Sequence, residues 1–470
     1  MDETPPPRSA FTRTLGPTGV MLLTLSALSP VVSVYIGGAG ILHLAGTGAA
    51  LAFLVGGIIP AIIALLYAEL GAAFPRAGGT YPTLAGVLGS WAVFPRLILD
   101  VVTSPASLAF VALGFADYVR VLAPGVGEIP LAIGAIAAGT AVAVANVRTG
   151  ALVTGVFLAV EAVALVLLTA VALLHPAQSL TAVLAHPVYL DHGALKPSPP
   201  IVMALALVSG AYMCAGASWA LYFGEEMKDA RRRMGGVIAW AGVIASVTIA
   251  GPMVLLVLSI GDVKAVLADD APVAYFLVHT GGRTVATLVT VGVIAAVFNN
   301  IVAGAMAYGR MVYSTGRDRV WPTPVNRMLA TLHPRLNSPV IATVLVALAS
   351  VLACFLGERV LLIFISGDVF STLLISLGVI AGRRKGLTGR FFRSPLYPLT
   401  PLFGLAVWTA SVAADLMDPE AGRPSMLLLL ALFVCSLLYY LVKLRRAPGG
   451  WRVQPLSQED DETAGEAASA

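Results

Sequence analysis

Asp100, Glu161, Asn299, Asn300 and Asp368 all fall inside long apolar runs of this 470-residue chain. Glu161, flanked by Val160 and Ala162, is the sharpest of them. An ionisable side chain in hydrocarbon costs about 3 kcal/mol on insertion scales and by default marks a functional position. The carboxyl can load and release a proton, or it can stay permanently bonded to a neighbouring hydroxyl or amide. Asp100 lies four residues after Arg96, the spacing of an intrahelical ion pair. Asn299 and Asn300 offer donors and acceptors that either face a ligand path or hold a helix contact, the latter worth about 0.6 kcal/mol per bond. Asp368 follows Ser366 and Gly367 and is a candidate for a gate.

Two stretches look unable to continue as regular helix. In LTLSALSPVVSVYIGGAGIL, Pro30 removes a backbone donor and clashes with the preceding turn, while Ser29 and Ser33 supply hydroxyls beside it. In SGAYMCAGASWALYFGEEMKD, Gly210, Ala211, Ala215, Gly216, Ala217 and Ser218 crowd around Tyr212. Small residues let helices pack closely, or they mark a second break. Broken backbone at membrane depth is tolerated only where protein or a water-lined cavity satisfies it.

These residues are positioned by a chain made almost wholly of spanning segments. Apolar residues make up 58% of it and charged residues 11%, too little polar surface to cover a soluble globule. With roughly 20 residues needed per crossing, about twelve spans are expected, at 18–42, 46–70, 91–118, 129–146, 150–175, 200–223, 235–260, 284–309, 338–356, 359–381, 396–416 and 425–444. The two breaks fall in spans 1 and 6, and a pair five apart is the pattern of an inverted repeat with a site near the midplane. The all-α chain divides into an N-terminal tail at 1–16, a core at 17–382, spans 11 and 12 with a basic loop at 383–445, and a disordered tail at 446–470.

Lysine and arginine stay preferentially on the cytoplasmic side. Placing both termini there leaves only Arg120, Lys196, Lys264, Arg283, Arg359 and Arg423 of the 29 basic residues outside. The net charge of +4 is therefore topological and implies no nucleic-acid partner. The polar, Pro-rich MDETPPPRSAFTRTLGP lacks a cleavable apolar core, so span 1 is retained. Cys214, Cys354 and Cys435 lie within spans without metal-ligand spacing, so neither disulfides nor a metal are expected. No nucleotide loop, metal triad or nucleophile with its base is present, which argues against an enzyme or an ATP-driven pump. No cofactor is implied.

Four ordered blocks resemble amino acid permeases of the amino acid–polyamine–organocation superfamily: YAELGAAFPRAGGTYPTLAGVLG, NVRTGALVTGVFLAVEAVALVLL, GASWALYFGEEMKDARRRM and YGRMVYSTGRDRVWPTPVNRMLATLHPRLNSPV. The resemblance covers residues 15–445. It implies a five-plus-five inverted repeat followed by two peripheral helices, with the substrate between the breaks of spans 1 and 6. Residue by residue it maps the first break onto Ser29, Pro30, Val31, Val32 and Ser33, and the second onto Cys214, Ala215 and Gly216. Tyr212 falls where relatives often place an aromatic gate. Glu161 falls where, in some relatives, a titratable group replaces a sodium ion between spans 1, 5 and 8. The sequence departs from the family's commoner Gly-Ser-Gly in the first break, which leaves carboxylate binding open. It also departs after Asp229, where Ala230 and Gly235 replace prolines. Glu225, Glu226, Lys228 and Arg231 to Arg233 then either form salt bridges of an inward gate or secure topology.

The implied function is a secondary transporter of amino acids working by alternating access, with protons as the coupling ion and Glu161 as their carrier. An amino acid exchanger or an amine or polyamine transporter stands beside it, and a transport-inactive membrane sensor is the alternative of another class. Alanine, glycine and arginine enrichment points to a bacterium with a GC-rich genome, and so to its cytoplasmic membrane.

Overall fold

The computed structural model describes residues 11–123, 125–365, 369–446 and 451–453. The protein is an all-α bundle whose one sheet among the described residues is the hairpin of β1 (Val188–Asp191) and β2 (Ala194–Pro197). Among the described residues nine helical stretches are long and apolar enough to cross a membrane, and Glu128–Ala143 and Val340–Cys354 are shorter apolar helices. The first stretch, Pro17–Ala73, holds 57 residues. At about 1.5 Å per residue that is far longer than a bilayer core of about 30 Å, and a 3₁₀ turn at Gly46–Gly48 folds it into spans 1 and 2.

Span 1 comprises Pro17–Leu28, Pro30–Val32, a π-helical turn Ser33–Gly37 and Gly38–Ala45, and span 2 is Ala49–Ala73. After a short helix Thr80–Leu88 come span 3 (Ser90–Leu122), span 4 (Glu128–Ala143) and span 5 (Val147–Leu174). Span 6 is split into Pro200–Met213 and a 3₁₀ helix Ala217–Glu226. Span 7 is Ala230–Ser259, span 8 Arg283–Arg317 and span 9 Val340–Cys354. Span 10 contains Glu358–Ile365 and Val369–Arg384, span 11 is Leu399–Met417, and span 12 is Gly422–Tyr439 with a terminal π turn Tyr440–Leu444.

Span 5 shows how the sequence orients a helix in lipid. Leu152, Val156, Val163 and Val166 are each more than half exposed and follow one another at intervals of four, seven and three residues, the spacing of one helix face, while Thr154, Glu161, Ala164, Leu165 and Leu168 are buried. An apolar face turned outward and a polar residue turned inward is the reverse of a soluble helix, and it fits a hydrocarbon solvent. Spans 2 and 6 meet backbone to backbone, because a Cβ at Gly56 would lie 2.8 Å from Ala211 N and one at Gly210 2.7 Å from Ala52 O. This is the small-residue packing expected where no hydrophobic force drives helices together.

Glu69 of the YAELG block ends span 2 in a polar clamp. Its buried carboxylate accepts from Arg383 Nε (2.7 Å), Thr388 Oγ1 (3.0 Å) and Ser394 Oγ (2.7 Å). The loop between spans 10 and 11 is thereby tied to the end of span 2.

Candidate functional site

The discontinuity in span 1 is one residue wide. Ser29 sits in the left-handed region (φ 45°, ψ 89°), its N–H donates to Leu25 O at 2.8 Å, and helix resumes at Pro30. Proline is suited to the first position of a helix because its ring presets φ and its missing N–H would have no partner there. Ser29 Oγ accepts from Val32 N at 3.5 Å and so caps the second half. Ser29, Pro30, Val31 and Ser33 are buried, and Val32 is half-buried. Most of the stretch mapped as an opening is thus regular helix, followed by the π turn from Ser33.

Span 6 breaks more widely. The first half ends at Met213, Cys214 caps it, and Gly216 (φ 142°, ψ 0°) opens the 3₁₀ segment. Only glycine tolerates that backbone without strain. A Cβ there would also lie 2.8 Å from Leu28 Cδ1, which brings the break of span 6 against the residue preceding Ser29. Two helix C-terminal ends and two N-terminal ends converge at this point, with partial charges of about half a unit each. Ala215 is exposed and Cys214 buried. Tyr212, about half exposed, donates from its hydroxyl to Ile365 O at 3.2 Å and links span 6 to span 10.

Behind the first break lies the Glu161 cluster. Glu161 is 1% exposed, and its two oxygens accept from Ser29 Oγ (3.1 Å) and Asn299 Nδ2 (2.9 Å). Spans 1, 5 and 8 therefore meet on one carboxyl. Asn299 Oδ1 is buried without a hydrogen-bond partner among the described residues. Asn300 Nδ2 donates to Ala27 O (2.7 Å), and Ser26 Oγ to Thr154 O (3.3 Å), both at the turn of span 1 just before the break. Phe298 packs edge-on against Phe157 with centroids 5.5 Å apart. The arrangement can hold a proton or a bonded carboxylate, and its state reaches the span 1 break through one hydroxyl.

The other acidic candidates lie elsewhere. Asp100 pairs with Arg96 through Nε at 3.2 Å and through a second, closer contact, both residues being buried. It is the ion pair its spacing suggested, and it takes no part in the Glu161 cluster. Asp368 lies outside the described residues.

At the end of the bundle that carries Phe11 and Trp451, a largely buried polar network joins span 8 to the loops beside it. Fully buried Arg310 of span 8 pairs with fully buried Glu226, with Nη2 to Oε1 at 3.0 Å, and also donates to Met306 O at 2.8 Å. Arg317 reaches both oxygens of Glu225 (2.6 and 2.8 Å), and Tyr81 donates to Asp318 Oδ2 (2.9 Å). Arg76, half-buried in the loop beside them, is lowered in proton affinity by burial, with the Asp318 charge opposing. Leu15 bridges to Met227 through Leu15 N to Glu226 O (2.9 Å) and Lys228 N to Leu15 O (2.8 Å).

The acidic pair was visible in sequence, but its basic partners come from span 8. Of the arginines that follow it, Arg233 instead reaches Asp229 at 3.5 Å. Arg310, an arginine within the apolar run of span 8, was the signal available for this network.

The family model of amino acid permeases matches residues 21–442. Similar proteins include the human Asc-type amino acid transporter 1, 26% identical over 75% of this chain and 69% of its own length. The branched-chain amino acid permease BcaP of Lactococcus lactis is 24% identical over 79% of this chain and 84% of its own. The methylthioribose transporter of Bacillus subtilis is 25% identical over 82% and 86%. With nearly all its membrane-spanning length matched, this multi-pass membrane protein belongs to the amino acid permease family, in the amino acid–polyamine–organocation superfamily of transporters.

Proposed function

We propose that the protein is a proton-coupled amino acid permease of a bacterial cytoplasmic membrane, with both termini cytoplasmic, working by alternating access. The observation that carries this reading is Glu161, a carboxyl buried in a spanning helix and bonded to Ser29 at the span 1 break and to Asn299 of span 8. Loading a proton there turns an acceptor-only group into a donor. The partner of the protonated oxygen must then reorient, and where that is Ser29, whose hydroxyl can turn from donor to acceptor, the break of span 1 moves with it. The substrate lies between Ser29 to Ser33 and Cys214 to Gly216, where helix ends offer amides to a carboxylate and carbonyls to an ammonium. Tyr212 closes over it toward span 10. The Arg310–Glu226 and Arg317–Glu225 pairs hold the cytoplasmic side shut.

The experiment is uptake of labelled amino acids into proteoliposomes with and without an inward proton gradient, for the native protein and Glu161→Gln. Gradient-driven accumulation is expected in the native protein, and in the variant its loss with exchange retained. Accumulation that ignores the gradient, or a variant that concentrates substrate normally, removes Glu161 as the carrier.

A second reading is exchange, or transport of an amine without a carboxylate. The narrow span 1 break favours it, since Pro30 has no N–H and Val32 N is already taken by Ser29 Oγ. One similar protein is named for methylthioribose. Competition of uptake by amines against amino acids separates the two, and an absence of any uptake would favour a sensor.

A further inference from the structure

A groove of about 440 Å³ lies between the start of span 3 and the end of span 12, lined by Trp91, Leu437, Tyr440, Leu441 and Arg445. It is remote in sequence from the elements that build the Glu161 cluster. Its floor is aromatic and packed: Phe94 stands 6.1 Å from Tyr440 and 5.3 Å, edge-on, from Trp451, whose indole N–H donates to Asp318 O at 2.8 Å. Its mouth is cationic. The π turn Tyr440–Leu444 ends with Arg445 N donating to Tyr440 O at 2.8 Å, and Arg445 is exposed with no carboxylate partner among the described residues. Lys443, Arg446 and Arg452 are exposed nearby in the chain. Trp91 is 51% exposed on the opposite wall.

We propose that this groove binds one anionic phospholipid, with an acyl chain along Leu437 and Leu441 against Trp91 and the phosphate at Arg445. Three features select that occupant. The wall belongs to two membrane-spanning helices, so lipid is the solvent it faces. A half-exposed tryptophan beside exposed basic residues is the signature of the headgroup level. A run of basic residues directly after a spanning helix attracts anionic lipid in proportion to its charge. The proposal needs only that the chain lies in a membrane, so it stands or falls separately from the transport reading.

The test is native mass spectrometry of the full chain in nonionic detergent, with phosphatidylglycerol or phosphatidylcholine of the same acyl chains added. The native protein is expected to retain phosphatidylglycerol in preference. In Arg445→Gln that preference should fall about fivefold, the weight of one basic residue at a charged surface, with phosphatidylcholine retention and the thermal midpoint unchanged. Leu441→Trp, which fills the groove, should lower retention of both lipids. Equal retention of the two lipids by the native protein, or an unaltered preference in Arg445→Gln, overturns the proposal. Displacement of the lipid by inorganic phosphate alone, or a dimer that Leu441→Trp abolishes in the absence of lipid, does so as well.

Discussion

A carboxyl held at 1% exposure inside a spanning helix needs hydrogen-bond partners to be tolerated, and Glu161 takes them from two other helices. Ser29 serves two roles at once, donating to Glu161 and accepting from Val32 N. Ser29→Ala is therefore expected to cost about 1 kcal/mol of stability as a lost cap and also to slow proton-driven uptake. Thermal unfolding and uptake measured on one preparation distinguish this from a pure cap, which would leave the rate per folded molecule unchanged. Gly216 presents a steric test. Gly216→Ala puts a methyl group into Leu28 at a φ that alanine resists, so uptake should be abolished, and adding Leu28→Ala should restore only part of it because the backbone strain remains. Uptake at the native rate in the single variant would show that the two breaks do not depend on this close approach.

Among the elements, span 8 does more than its sequence announced. It brings Asn299 to the Glu161 cluster at one level and Arg310 and Arg317 to the carboxylates of Glu226 and Glu225 at another. Asn299, Arg310 and Arg317 lie on one uninterrupted helix of 35 residues, Arg283–Arg317, so under the proposed function that helix links the two levels mechanically. Arg310→Met alone leaves Glu226 buried and unpaired, and losses of this kind are typically about 3–5 kcal/mol. Arg310→Met with Glu226→Met should recover much of that stability, because the desolvation cost of both charges goes with them. Thermal midpoints of the two single variants and the double variant measure the coupling. A double variant as unstable as the sum of the singles would place the stabilising role outside the pair.

On the scale of the whole molecule, the basic residues divide the bundle into two ends. The β1–β2 hairpin with Lys196 falls at the end opposite Arg233 in the proposed topology. With Cys214, Cys354 and Cys435 replaced, Lys196→Cys should react with a membrane-impermeant maleimide on intact cells, while Arg233→Cys should react only after lysis. The reverse pattern would invert the assignment of the termini. Much of this architecture was legible in the sequence. Apolar length sets the spans, and Pro30 and Gly216 mark the two interruptions through backbone chemistry that no tertiary context removes. The i, i+4 spacing of Arg96 and Asp100 fixed their pairing, because neighbours on one helix turn meet without help from the rest of the fold. Glu161 also stood out, since a charge in hydrocarbon is conspicuous wherever it lies. Ser29 and Asn299 were singled out too, and the resemblance placed Glu161 between spans 1, 5 and 8, but that both bond to Glu161 was not legible, and neither was the pairing of Glu225 and Glu226 with span 8 or the clamp of the 383–394 loop on Glu69. Those contacts join residues 84 to 325 positions apart. Sequence spacing carries no information about which faces of separate helices meet, so only the packing of the bundle decided them.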